Sequence, residues 1–258
     1  MRSGANRVGW FFLLAFAITW GLQLPGVLAQ RGLLPGDPRS YLPFAGLGVL
    51  GPLVSATVLS FREQGSAAVK RLYAPLLQAR VRWTWYVAAL LVPGALLTGL
   101  LYVLNLAGRH GPVGYFPSLA ALVFGLLMSV VEEVGWRGYA LPRLQELWGK
   151  FAAAGLLGVL WYLWHIPMFL GQGVPLNLVL VMLLYFVGAS LFLSWIYNGT
   201  KGSLLLAVLA HLGAHLNNSH RALPADISPL VVHAIVYGAL GLFVMRDVFR
   251  LSRPRLIP

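Results

Sequence analysis

Two adjacent glutamates, Glu132 and Glu133, close the apolar run LAALVFGLLMSVV and are followed by Arg137. The sequence holds only seven acidic residues. A carboxylate within a spanning segment is costly and by default marks function. On a helix, Glu133 and Arg137 are four apart, share a face and can pair. Glu132 points about 100° away and has no local partner. The spacing therefore separates a structural glutamate from a reactive one. An unpaired carboxylate set among reacting groups is suited to act as a general base on water.

Histidines supply the groups such a base would work with. WYLWHIP places His165 one turn after Trp161, and LAHLGAHLNN places His211 and His215 four apart, with Asn218 on a similar face. Glu132 and His165 are nearly equidistant from the Trp148–Lys150 turn, so on antiparallel helices rising about 1.5 Å per residue they meet at similar depth. Polar groups from three helices can thus converge inside the membrane. Other titratable residues carry less. His233 reads as a packing residue, His110 and His220 as loop residues, and Trp161 and Trp164 as packing or interface aromatics. Asp37, Glu63, Glu146, Asp226 and Asp247 read as surface charges.

The elements that must position these residues follow from composition. The chain of 258 residues is 59% hydrophobic and 10% charged, and a soluble domain carries roughly twice that charge fraction. It reads as an all-α polytopic membrane protein with one transmembrane domain over residues 1–258. With no cysteine, thiol catalysis, disulfides and zinc ribbons are excluded. The net charge of +12 does not point to nucleic acid, because the basic residues punctuate apolar runs instead of clustering.

Eight apolar segments are legible: GWFFLLAFAITWGLQL, YLPFAGLGVLGPLVSATVLSF, WYVAALLVPGALLTGLLYVL, SLAALVFGLLMSVV, AAAGLLGVLWYLWHIPMFL, LVLVMLLYFVGASLFLSWIY, SLLLAVLAHLGAHL and PLVVHAIVYGALGLFVM. Each is read as a transmembrane helix, because backbone groups in lipid must be satisfied internally. With both termini in the cytoplasm, fifteen basic residues fall inside, Arg137 among them, against four outside, Arg31, Arg39, Arg109 and Arg221. That asymmetry supports the N-in, C-in orientation. The first run, after Arg2 and Arg7, reads as a retained helix and not a cleaved signal peptide, being near the ~20 residues a span needs. AAVKRLYAPLLQARVRW, basic and partly apolar, is expected on the inner leaflet.

Three motifs carry a resemblance. EEVGWRG matches the EExxxR signature of the CPBP family of intramembrane proteases, which includes type II CAAX prenyl endopeptidases and bacteriocin-processing or immunity-associated proteins. WYLWH resembles its second motif, FxxxH, with Trp161 where phenylalanine is usual. GSLLLAVLAHLGAH resembles the third, where GSL leads to a histidine in HxxxN, with His215 in place of the usual asparagine. The resemblance covers roughly residues 118–218. It implies a helical membrane endopeptidase in which Glu132 activates the attacking water with help from His165, while His211 and His215 bind the oxyanion. The spacing of Glu133, Arg137 and Asn218 gives them supporting places beside these residues. Asn218 could supply the amide missing at 215.

The sequence requires no cofactor. A zinc or other divalent ion on Glu132, His165, His211 and His215 and a metal-independent glutamate mechanism both fit these residue types, though no HExxH is present. The expected partners are the lipid bilayer and a peptide or membrane-protein substrate, in one branch of the family prenylated. The expected location is the plasma membrane of a prokaryote. Two rival readings are a non-catalytic relative that regulates another membrane protein and a proton-coupled transporter. The absence of an internal repeat disfavours the transporter.

Overall fold

The computed structural model describes residues 2–107, 118–216 and 228–252. Among them every regular element is helical and no strand occurs. The elements are α1 (Arg2–Gln30), α2 (Leu42–Gly48), α3 (Gly51–Tyr73), α4 (Trp83–Leu90), α5 (Val92–Leu106), α6 (Leu119–Glu133), a π-helical segment (Val134–Ala140), α7 (Leu141–Trp164), α8 (Ile166–Gly171), α9 (Leu176–Gly199), α10 (Leu204–Leu216) and α11 (Pro229–Ser252).

All eight apolar segments are helical, but the second, third and fifth are broken. The breaks fall at Val49–Leu50, Leu91 and His165, each followed within three residues by a proline: Pro52, Pro93 and Pro167. Proline lacks the N–H of the helical ladder and its ring crowds the carbonyl four residues back, so the helix stops just upstream. Three stretches are singly long and apolar enough to cross a membrane: Gly4–Gln30, Leu119–Gly171 and Leu176–Gly199. The α2/α3 and α4/α5 pairs, bent by 42° and 41°, bring this to five if each is one span. Gly149 interrupts the long Leu119–Gly171 stretch with φ +74° and ψ 169°, at the turn expected near Trp148–Lys150. Only glycine adopts that backbone region readily. The shorter apolar helices α10 and α11 complete the set.

The bundle is assembled around α9, which lies between α7 and α11. Both contacts depend on backbone approach over small residues, the usual basis of helix association in lipid. A Cβ on Gly188 would collide with the Tyr237 carbonyl of α11, and one on Gly241 would fall 2.7 Å from the Gly188 Cα. On the other side, a Cβ on Gly158 of α7 would lie 2.7 Å from the Val187 Cα. Ser190 Oγ donates to the Ala154 carbonyl at 2.7 Å across the same contact. α1 joins α2 and α3 by a similar device. Thr19 Oγ1 donates to the Gly48 carbonyl at 2.6 Å, and a side chain on Gly51 would meet Thr19 and the Ala15 carbonyl.

Two glycines of α7 make a matched test of this packing. A Cβ on Gly155 meets nothing within 4 Å, whereas one on Gly158 strikes α9. Gly155→Ala is expected to be neutral or to stabilise by up to about 1 kcal/mol through helix propensity. Gly158→Ala should destabilise by about 1–3 kcal/mol through overpacking. Thermal unfolding of the two variants in detergent distinguishes them.

Candidate active site

Glu132 and Glu133 are the last two residues of α6, and the chain enters the π-helical segment immediately after them. Pro142, near the start of α7, cannot donate to the Gly138 carbonyl. The glycines at 135 and 138 add little helical preference of their own. The wider π winding relieves both problems, and such insertions recur at functional sites. A Cβ on Gly135 would lie 2.5 Å from Pro52 Cβ, so this turn sits directly on the start of α3.

Glu133 and Arg137 pair as their spacing predicts. Arg137 Nη1 donates to Glu133 Oε1 at 2.8 Å, and both side chains are sealed from solvent. The same Oε1 meets His211 Nδ1 from α10 at 2.9 Å. The Arg137 guanidinium also lies over the Trp161 ring, 4.9 Å from its centroid. Arg137, counted by sequence among the inner-side basic residues, is therefore not a loop charge but a core residue.

Glu132 is also buried, but no cation bonds to it among the described residues. Its Oε2 accepts from Trp161 Nε1 at 2.7 Å. The sequence gave Trp161 only a packing or interface role; the structure adds a hydrogen bond to Glu132, a partner 29 positions away. Trp161 is the hub. Its indole donates to Glu132, its face receives Arg137, and its ring stands 5.2 Å from His211 and 5.8 Å from His165, both edge-on. The available signal was the residue type, since tryptophan has a donor that phenylalanine lacks.

His165 owes its orientation to the helix break. Its own N–H bonds to the Tyr162 carbonyl at 3.0 Å, one residue short of the α-helical partner. The Trp161 carbonyl is left free of that bond and meets His165 Nδ1 at 2.8 Å. A carbonyl can only accept, so Nδ1 carries the proton and Nε2 is the free acceptor. His215 stacks on His211 with centroids 5.0 Å apart and an interplanar angle of 11°. Gly125 of α6 permits this, because a Cβ there would come within 3.0 Å of His215 Cβ. Among the described residues, Glu133 Oε2, Arg137 Nη2 and His215 Nε2 are buried polar atoms with no hydrogen-bond partner. Asn218, His110, His220 and Asp226 lie outside the described residues.

Two other expectations concern residues away from this cluster. His233 is buried and packs against Tyr185 with centroids 6.2 Å apart. Glu63 is not a simple surface charge. It accepts from Tyr139 Oη at 2.6 Å and Arg143 Nη2 at 2.9 Å, with Arg7 at 3.8 Å, and so ties α1 and α3 to the π-helical segment and the start of α7 that follow the two active-site glutamates.

Among the described residues no group of three or more histidines and carboxylates is arranged to hold an ion. The Nδ1 atoms of His211 and His165 are engaged by Glu133 and by the Trp161 carbonyl, which leaves their Nε2 atoms as the available ring nitrogens. No step is therefore assigned to a bound ion.

Residues 114–217 match the family described as type II CAAX prenyl endopeptidase Rce1-like. The chain thus carries an Rce1-like domain and is a peptidase of the endopeptidase class. It is also 26% identical over 235 residues to a protein from Methanococcus maripaludis named CAAX prenyl protease 2, covering 84% of this chain and 85% of that one.

The buried ion pair makes a prediction about stability. Glu133→Leu leaves a guanidinium that cannot shed its proton, and the expected cost is about 3–5 kcal/mol. The double variant Glu133→Leu/Arg137→Leu should recover much of that loss. Detergent unfolding of the single and double variants checks it.

Proposed function

We propose that this protein cleaves peptide bonds within the membrane by a glutamate-activated water, and that its substrates are prenylated C-terminal segments. The observation that carries the reading is the division between the two glutamates. Glu133 is bound by Arg137 and His211, while among the described residues Glu132 has a single neutral donor, Trp161. A carboxylate that no cation neutralises can take a proton from water; one paired with a guanidinium cannot do so as well.

In this mechanism a water donates to Glu132 and to the free Nε2 of His165. Glu132 takes the proton as the water oxygen attacks the scissile carbonyl, and later returns it to the leaving amine. The developing oxyanion needs preplaced donors, each worth roughly 3 kcal/mol in rate terms. His211 supplies one from Nε2–H while its Nδ1–H stays on Glu133, which requires the imidazolium. His215, with its buried and unpartnered Nε2, stands where the family usually has asparagine and supplies a second donor. The substrate class rests on the Rce1-like match and on the name of the methanococcal relative. That relative also supports a prokaryotic plasma membrane as the location.

The test is cleavage of quenched peptides, prenylated and not, by purified protein in detergent. Glu132→Gln should lower kcat by at least about a thousandfold. Wild-type activity should survive a chelator. Turnover by Glu132→Gln equal to wild type would remove the glutamate as base, and loss of wild-type activity on chelation would return the mechanism to a metal. Trp161→Phe keeps the ring face for Arg137 but removes the donor to Glu132. It should lower kcat by about tenfold, the worth of one hydrogen bond to a charged group, with little change in KM.

A further inference from the structure

Within α3 the helix is interrupted at Gln64 and Gly65, where φ +64° and ψ −156° at Gly65 again demand glycine. The two arms are pinned together, so the elbow is built and not a fray. Thr57 Oγ1 and Tyr73 Oη are 2.7 Å apart across it, and Arg71 donates to Gln64. On its outer side the elbow encloses a groove of about 550 Å³. Its walls come chiefly from Thr57, Val58, Phe61 and Val69, and Arg62 and Lys70 stand at its rim. Phe61 is 60% exposed, so this apolar wall is not covered by the rest of the protein.

We propose that this elbow binds one anionic phospholipid, with an acyl chain in the groove and the phosphate between Arg62 and Lys70. Charge supports that occupant over a neutral one. Among the described residues neither cation has an ion-pair partner. The nearest carboxylate, Glu63, is spent on Tyr139, Arg143 and Arg7. No acidic residue occurs from Ser66 to Arg82, a stretch that also holds Lys70, Arg71, Arg80 and Arg82. The uncompensated field therefore favours a negative headgroup on the side that the positive-inside rule assigns to the cytoplasm. The opposite side of the elbow bears Glu63 and hence the π-helical segment and the start of α7 that follow Glu132 and Glu133, so an occupied groove would hold the α3 break in place beside the site.

The full chain would be placed in nanodiscs of phosphatidylcholine with a minor fraction of phosphatidylglycerol. Retained lipid would then be read by native mass spectrometry. Arg62→Gln/Lys70→Gln should weaken retention of phosphatidylglycerol by about tenfold or more, with phosphatidylcholine unchanged. Arg80→Gln/Arg82→Gln, from the same basic stretch, should have a much smaller effect. Val58→Trp, which fills the groove and leaves the cations, should also lower retention. Equal losses from the two charge pairs would reduce the effect to a diffuse basic surface and overturn the site. Undiminished retention by Arg62→Gln/Lys70→Gln would do the same. Displacement of phosphatidylglycerol by a farnesylated peptide would give the groove to the isoprenoid of a substrate instead.

Discussion

Sealing a carboxylate and a guanidinium away from water is tolerable only when each satisfies the other and further groups take up what remains. Glu133 and Arg137 impose that condition on everything near them. Arg137 draws the Trp161 face from α7, and Glu133 draws His211 from α10. Three helical elements are thereby fixed around one ion pair. The glutamate next to it is left with a different environment by simple angular displacement on α6. The chemical difference between two adjacent identical residues is thus a product of helix geometry and of one cation.

The prolines act on the site through the backbone. Pro167 ends α7 before His165, and a carbonyl stripped of its helical partner in an apolar surrounding must find another donor. His165 Nδ1–H is that donor for Trp161. A residue two positions beyond the histidine therefore sets which ring nitrogen is protonated and which is free. In the proposed mechanism this decides that His165 accepts from water.

Much of this was legible in the sequence, and what was not has physical causes. The helical character and the eight apolar segments followed from hydropathy and from the demands of lipid on the backbone. The Glu133–Arg137 pair followed from spacing four, and the Gly149 turn from the length of the flanking runs. The Trp161–Glu132 bond was missed because tryptophan in a membrane helix is ordinarily a packing residue. Nothing local distinguishes one whose N–H finds a carboxylate 29 positions away. Glu63 was misjudged because its neighbours in sequence are polar, while its partners Arg143 and Tyr139 lie about 80 residues on. Arg137 was counted on the inner side because charge counting cannot tell a loop cation from a buried one. The α3 break was hidden by a glycine in a polar stretch that reads equally well as a loop.

The seam between α9 and α11 has a bearing on how a long substrate reaches a buried site. At Gly188 and Gly241 the two backbones touch with no side chain between them. A gate made of side chains opens when rotamers swing aside; a contact made of main chain has nothing to swing. It parts only if whole helices separate, at the loss of every contact along their length. That flank behaves as a wall, and in the proposed mechanism peptide reaches Glu132 through the parts of the bundle held by side chains.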